Sequence, residues 1–330
     1  MSSFIPAFNV QRVLMSPWTE QFDSTIWIVA MGFLVTTACG LVGCYLILRR
    51  MALVGDAISH SILPGIAVAF LLSTSRGALP MFLGALAAGV VTTLIIELIH
   101  RKTRVKQDAA IGIAFTSLFA IGVVLISLFA ARVDLDQECV LYGEIGFVTL
   151  APDVVLGTLR LGPEPVVRMA AVTVAVVVLI VMFYKELLVS SFDPGLARSV
   201  GINSTVVHYG LMGVLSAVVV SAFESVGAIL VIAMLILPGA TGSLLCERLP
   251  RVMTVVVVHA ATSSVLGLHL ATWLDCSIAA AMVVMGGFLF TLAWVFSPTQ
   301  GLWRLLIQQR IEPLPSNSAG AEESRSATAN

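Results

Sequence analysis

Long apolar stretches follow one another along the chain, separated by short polar breaks. A membrane-crossing helix needs about 20 mostly apolar residues. Stretches of roughly that length fall at Ile26–Leu48, Leu53–Leu72, Pro80–Ile99, Ala109–Ala130, Pro165–Tyr184, Val206–Phe223, Val226–Leu245, Val252–Ala271 and Ser277–Phe296. The second is the weakest as a span, because Asp56, His60 and Pro64 interrupt it. The pattern predicts an all-α fold: a polytopic transmembrane helical bundle with eight to nine spans.

Three regions follow from the same pattern. Residues 1–23 are mixed in character and contain Pro6, Pro17, Glu20 and Asp23. They lack the basic start and short apolar core of a cleaved signal peptide and read as an extracytoplasmic or interfacial segment, with Trp18 and Phe22 at headgroup depth. Residues 24–311 form the membrane domain. Residues 312–330, rich in Ser, Ala and Glu, read as a disordered tail. The connection Ala131–Glu164 is longer than the others. It carries Asp134, Asp136, Glu138, Glu144, Asp153 and Glu164 around the apolar piece Val140–Leu150. Small helices at an outer mouth would suit it, and such an acidic mouth would concentrate cations; a plain solvated loop suits it equally.

Composition strengthens the membrane reading. The chain is 58% hydrophobic and 11% charged, against roughly 25% charged in soluble domains, and its mean hydropathy is +1.01. The net charge of −1 gives no basic stripe for nucleic acid. The five cysteines, Cys39, Cys44, Cys139, Cys246 and Cys276, include no C-x-x-C pair and read as small core residues. Thirteen of the 18 Lys and Arg residues, among them Arg49, Arg50, Arg101, Lys102, Arg104, Lys106, Lys185 and Arg198, stand at one set of span ends. The positive-inside bias makes that set cytoplasmic. It puts the N-terminus outside and the C-terminus inside, and the alternation holds through all nine spans.

Candidate chemistry concentrates in the second span. In Gly55-Asp56-Ala57-Ile58-Ser59-His60, Asp56 and His60 are four apart and share one helix face. At a rise of about 1.5 Å per residue they stand roughly 9–15 Å beyond Arg50, near the bilayer midplane. Ionisable groups at such depth usually face a pathway or a partner. A carboxylate oxygen and a neutral imidazole nitrogen together suit Mn²⁺, Fe²⁺ or Zn²⁺ better than Cu⁺. Two donors leave the shell incomplete, to be filled by water, backbone carbonyls or the same pair on a second copy. The competing reading is a buried Asp–His hydrogen bond that locks helix packing. Pro64 and Gly65 are expected to loosen or break this helix, which is tolerated only where protein or water satisfies the freed backbone. Glu224, at the outer end of the sixth span, reads first as a turn or interface residue. Glu97 and His100 share a face at the inner boundary and read as solvated. His208, His259 and His269 read as isolated core or interfacial residues.

Between the fifth and sixth spans, Asp193 suits a helix N-cap, Pro194 the first helical position and Gly201 the residue past the end. A short cytoplasmic helix of about seven residues follows, within residues 192–202. So short a helix is marginal alone in water; it gains purpose by docking on another protein, or it is an ordinary linker. No G-x-x-x-x-G-K-[ST] occurs in the chain, so any ATP-driven mechanism needs a separate ATPase.

The run Arg49-Arg50-Met51-Ala52-Leu53-Val54-Gly55-Asp56-Ala57-Ile58-Ser59-His60-Ser61-Ile62-Leu63-Pro64-Gly65-Ile66-Ala67 resembles the signature of permease subunits of bacterial manganese/zinc/iron ABC importers. Phe192-Asp193-Pro194 through Gly201, Val226-Gly227-Ala228 through Pro238-Gly239-Ala240-Thr241, and Phe296-Ser297-Pro298 match in the same order, so the resemblance extends from about Ile26 to Arg310. It implies a permease of the vitamin-B12-permease architectural type in the bacterial inner membrane, not itself an enzyme. Two permeases, identical or related, would pair over two cytoplasmic ATP-binding subunits. An extracytoplasmic metal-binding protein would deliver Mn²⁺, Zn²⁺ or Fe²⁺, with no permanently bound cofactor. By the resemblance, Asp56 and His60 line the ion pathway, and Asp193, Pro194, Leu196, Arg198 and Gly201 belong to a coupling helix that fits the ATPase. Many relatives have Gln where this chain has Glu224, an additional candidate for the pathway. The residues alone also admit an ATP-independent secondary transporter or channel using Asp56 as a proton-linked carboxylate, or a membrane scaffold in which the pair only packs.

Overall fold

The computed structural model describes residues 9–73, 78–129, 145–156, 159–297 and 301. After a π-helical turn at Gln11–Met15 come α1 (Ser16–Thr19), α2 (Phe22–Leu48), α3 (Leu53–Ser73), α4 (Ala78–Lys102) and α5 (Gln107–Phe129). A 3₁₀ turn at Ile145–Leu150 leads to a two-stranded antiparallel hairpin, β1 (Asp153–Leu156) and β2 (Leu159–Pro163). The chain continues through α6 (Glu164–Met182), α7 (Tyr184–Phe192), α8 (Pro194–Ser199), α9 (Ser204–Val226), α10 (Ala228–Leu245), α11 (Leu249–Leu274) and α12 (Ile278–Phe296).

Among the described residues, eight helices are long and apolar enough to cross a membrane, and Leu230–Leu245 is a shorter apolar one. That stretch belongs to α10, an 18-residue helix over Ala228–Leu245 that stands where the seventh span is expected. Gly227, at φ +82°, starts a new helix directly after α9, which trims the N-terminal end expected at Val226. The ends still sort as the charge pattern requires. Ser297 Oγ donates to the Leu244 carbonyl at 2.6 Å, bringing the ends of α10 and α12 together. At the opposite face, Trp18 Nε1 donates to His269 Nε2 at 3.3 Å, and His269 Nδ1 donates to the Val13 carbonyl at 2.8 Å. His269 thus fastens the N-terminal segment to α11, the interfacial role expected for it.

The core is centred on α2. Its Met31, Val35, Ala38, Cys39, Val42, Tyr45 and Leu46 are fully or almost fully buried, because α10, α11 and α6 surround it. Cys39 and Cys44 lie in this core as free thiols, as their apolar setting suggested. By contrast, α6 leaves Val174, Val178, Val181 and Met182 exposed, the apolar outward face that lipid solvates.

The long connection, open to small helices or a plain loop, holds a hairpin that neither reading foresaw. Its described part is a 3₁₀ turn and a hairpin. Ile145 and Val148 plug into the core, and the close approach of β2 to α2 needs Gly162, at φ +108°, where a side chain would collide with the Trp27 ring. Asp134, Asp136, Glu138 and Glu144 lie outside the described residues, as do residues 312–330.

Candidate metal-pathway site

The helix α3 runs without interruption from Leu53 to Ser73, with Pro64 inside it. The expected break at Pro64-Gly65 does not occur. Proline removes one backbone hydrogen bond, but the helix continues past it, packed closely on both sides. A Cβ at Gly65 would collide with the Gly84 carbonyl oxygen of α4, and one at Gly122 of α5 would lie 2.8 Å from the Pro64 ring. Thr92 Oγ1 of α4 donates to Ser61 Oγ at 2.6 Å and ties the two helices together beside His60.

On this scaffold His60 Nε2 lies 3.2 Å from Asp56 Oδ1, as the four-residue spacing predicts. The two side chains are 28% and 33% exposed, whereas Ala57, Ile58, Ser59 and Ser61 are at most 1% exposed. The pair therefore lies on the open stripe of α3, and its neighbours form the packed one. Gly55 permits this placement: a Cβ there would meet Leu235 of α10 at 2.8 Å, so α3 seats closely with Asp56 turned outward. The imidazole rests against Phe115 and Phe119 of α5, with ring centroids 5.6 and 5.9 Å away.

Asp56 and His60 are the fourth and eighth of the 21 residues of α3. Asp56 lies near the Arg50 end of the helix, and His60 lies closer to the helix midpoint. Asp56 falls in the first turn, where unpaired helix N–H groups favour a negative charge. Among the described residues no group of three or more His, Cys, Asp or Glu side chains gathers to hold a metal. The chain thus presents an oxygen and a nitrogen donor side by side, each partly exposed, a pair that could hold part of the shell of an O/N-preferring cation. Glu224 belongs to the last turn of α9, and its side chain lies outside the described residues.

The short helix forms as its residues dictate. Asp193 Oδ1 accepts from the Gly195 and Leu196 amides at 2.8 and 3.0 Å. At the other end the Gly201 amide donates to the Arg198 carbonyl at 3.1 Å and the Ile202 amide to the Ala197 carbonyl at 2.8 Å. This is the paired C-terminal cap that requires the left-handed Gly201, at φ +87°. The helix is six residues long and follows directly on α7, a helix absent from the expected elements. Phe192, Leu196 and Val200 are 67%, 53% and 66% exposed. Leu196 stands on the short helix itself, Phe192 ends α7 before it and Val200 caps it, three exposed apolar positions around one short element.

Two expectations fail nearby. Glu97 is not a solvated side chain and His208 is not isolated: Glu97 is 13% exposed, pairs with Arg101, and lies 3.5 Å from His208 Nε2. His208 also contacts Arg49, which reaches Ser190 and Ser191. His100 is exposed, as expected, and His259 is a core residue at 4% exposure. The Arg49–His208 and Arg49–Ser190 contacts join residues more than 140 positions apart, beyond any local spacing rule.

Long apolar helices, eight of them long enough to cross a bilayer, define a multi-pass α-helical membrane protein. The ABC 3 transport family matches residues 21–297. The manganese transport system membrane protein MntD of Bacillus subtilis is 46% identical over 276 residues, which is 84% of this chain and 93% of that protein. The zinc transport system membrane protein TroD of Treponema pallidum is 41% identical over 286 residues, 87% of this chain and 77% of its own. Among solved structures, PsaBC from Streptococcus pneumoniae in complex with Fab superposes with a TM-score of 0.73 at 32% identity, covering 90% of this chain and 99% of that one. The chain belongs to the ABC 3 transport family.

Proposed function

We propose that this chain is the membrane permease of an ATP-driven importer of divalent transition metal ions (manganese, zinc or iron), with Asp56 and His60 as its contribution to the ion pathway. The observation that carries the reading is the pair itself: an oxygen and a nitrogen donor 3.2 Å apart on the open stripe of α3, with no third ligand gathered among the described residues. Both side chains stay about a third exposed, which leaves their lone pairs open to a further ligand. A transport site benefits from an incomplete shell, because the ion must also leave. The relatives named for manganese and zinc transport support the same class of cargo.

In this reading a second permease, the same chain or a related one, brings its own pair to complete the shell. An extracytoplasmic binding protein delivers the ion, and separate cytoplasmic subunits hydrolyse ATP, since the chain has no phosphate loop. The exposed apolar positions around α8, Leu196 on the helix with Phe192 before it and Val200 at its cap, framed by Asp193, Pro194 and Gly201, are the docking surface for an ATPase subunit; Arg198 lies on the same helix. The ends carrying Arg49, Arg101 and Lys185 then face the cytoplasm, as does the C-terminus. Glu224 is an additional pathway candidate at the opposite end.

Reconstitution into vesicles with and without ATPase subunits and ATP tests the proposal. Uptake that requires both supports it. Equal uptake by the chain alone, without ATP, would replace it with a secondary transporter or channel.

A further inference from the structure

The α2–α3 turn immediately before the Asp56 helix is the meeting point of four elements. Arg49 caps α2, and its guanidinium donates through Nη2 to Ser190 Oγ at 2.7 Å and through Nε to Ser191 Oγ at 3.0 Å. Both serines stand in the last turn of α7, just before Asp193 caps α8. The third contact, Nη1 to His208 Nδ1 at 3.4 Å, reaches the first turns of α9, just beyond α8. A guanidinium only donates, so His208 Nδ1 accepts and the ring proton sits on Nε2, facing Glu97 of α4 at 3.5 Å. Arg49 therefore grips the chain on both sides of the short helix, and His208 extends the grip to α4. Burial draws the Arg49 guanidinium below the usual arginine range, a cost that its three acceptors offset.

The turn that Arg49 anchors is itself strained. Arg50 adopts a left-handed conformation at φ +58°, and the Arg50 and Met51 amides donate to the Ile47 and Leu46 carbonyls. This is the helix-ending geometry that favours glycine. A non-glycine residue held there marks a segment over-determined by its surroundings, which is where conformational strain collects at functional sites. Six residues beyond Arg50 lies Asp56.

We propose that Arg49 is the positioning residue that transmits displacement of α8 to the helix carrying Asp56 and His60, with Ser190, Ser191 and His208 as its handholds. Movement of α8 pulls the ends of α7 and α9. Arg49 carries that pull into the strained turn, and α3 tilts as a rigid rod because Gly65, Gly84 and Pro64 pack it without slack. The inference rests on the permease reading and on α8 as the ATPase contact.

The test uses the full transporter (permease, ATPase subunits and binding protein) in vesicles, measuring metal taken up per ATP hydrolysed. Ser190→Ala/Ser191→Ala removes two acceptors without adding volume. It is expected to leave complex assembly and basal ATP hydrolysis within about twofold of wild type and to lower the metal-per-ATP ratio at least about tenfold. Arg49→Gln should do the same, Arg49→Lys should recover part of the ratio, and combining Arg49→Gln with the serine variant should add no further loss, because all act through one contact. A normal ratio in the serine variant overturns the inference whether or not Arg49→Gln assembles, as does a multiplied loss in the combination. If wild-type uptake itself needs no ATP, the permease reading fails first; ATP-dependent wild-type uptake with an unchanged serine variant defeats this inference alone.

Discussion

Asp56 and His60 share a helix face because they are four residues apart, and that much is read directly from the sequence. Which stripe of α3 they occupy is not. That depends on Gly55 against Leu235 and on Gly65 against Gly84, contacts between elements whose partners no local pattern identifies. Asp56→Asn separates the two roles open to the pair. Asparagine keeps the shape and a hydrogen-bonding oxygen toward His60 but removes the charge a cation requires. Metal uptake is expected to fall at least about tenfold with the protein's thermal stability unchanged; a loss of stability with normal uptake would mark a packing lock. Gly65→Val should instead force α3 from α4 and destabilise the protein by about 1–3 kcal/mol, as overpacking does, seen as a lower midpoint in thermal unfolding.

At the scale of elements, apolar run length predicts the helices well, because a span needs length and little else. Pro64 failed as a breaker because its ring packs over Gly122, so tertiary contact overrode a local rule. The hairpin at Asp153–Pro163 was missed because its strands are of four and five residues, with the acidic loop obscuring any alternation. The short α8 was legible down to its caps, since both are side-chain or glycine chemistry visible in sequence. Removing a cap should loosen it measurably. Asp193→Ala is expected to cost about 1 kcal/mol and to speed amide hydrogen exchange at Gly195 and Leu196, without altering exchange in α3. Leu196→Asp puts charge among these exposed apolar positions and is expected to abolish ATPase capture by the solubilised permease; unchanged capture would reject α8 as the contact.

For the whole molecule, the charge pattern and the contacts agree on which ends lie together. Arg49, Glu97 and Arg101, assigned to one side by sequence, meet in space through Ser190 and His208. Trp18 and His269 meet on the other. The Arg49 network escaped sequence reading because its members are dispersed over helices whose order of packing only the fold decides. Among the described residues a single chain gathers no complete metal shell. If two permeases pool their ligands, the solubilised transporter should bind one Mn²⁺ or Zn²⁺ per two permease chains, counted by elemental analysis after gel filtration; one ion per chain would mean that each half-site is sufficient alone.

The most direct test of the ion-pathway assignment is ATP-driven uptake of Mn²⁺ and Zn²⁺ by the reconstituted transporter carrying Asp56→Ala or His60→Ala. Each variant should assemble with its ATPase and hydrolyse ATP, yet take up neither ion above the rate of empty vesicles. Uptake at the wild-type rate in either variant would contradict the account.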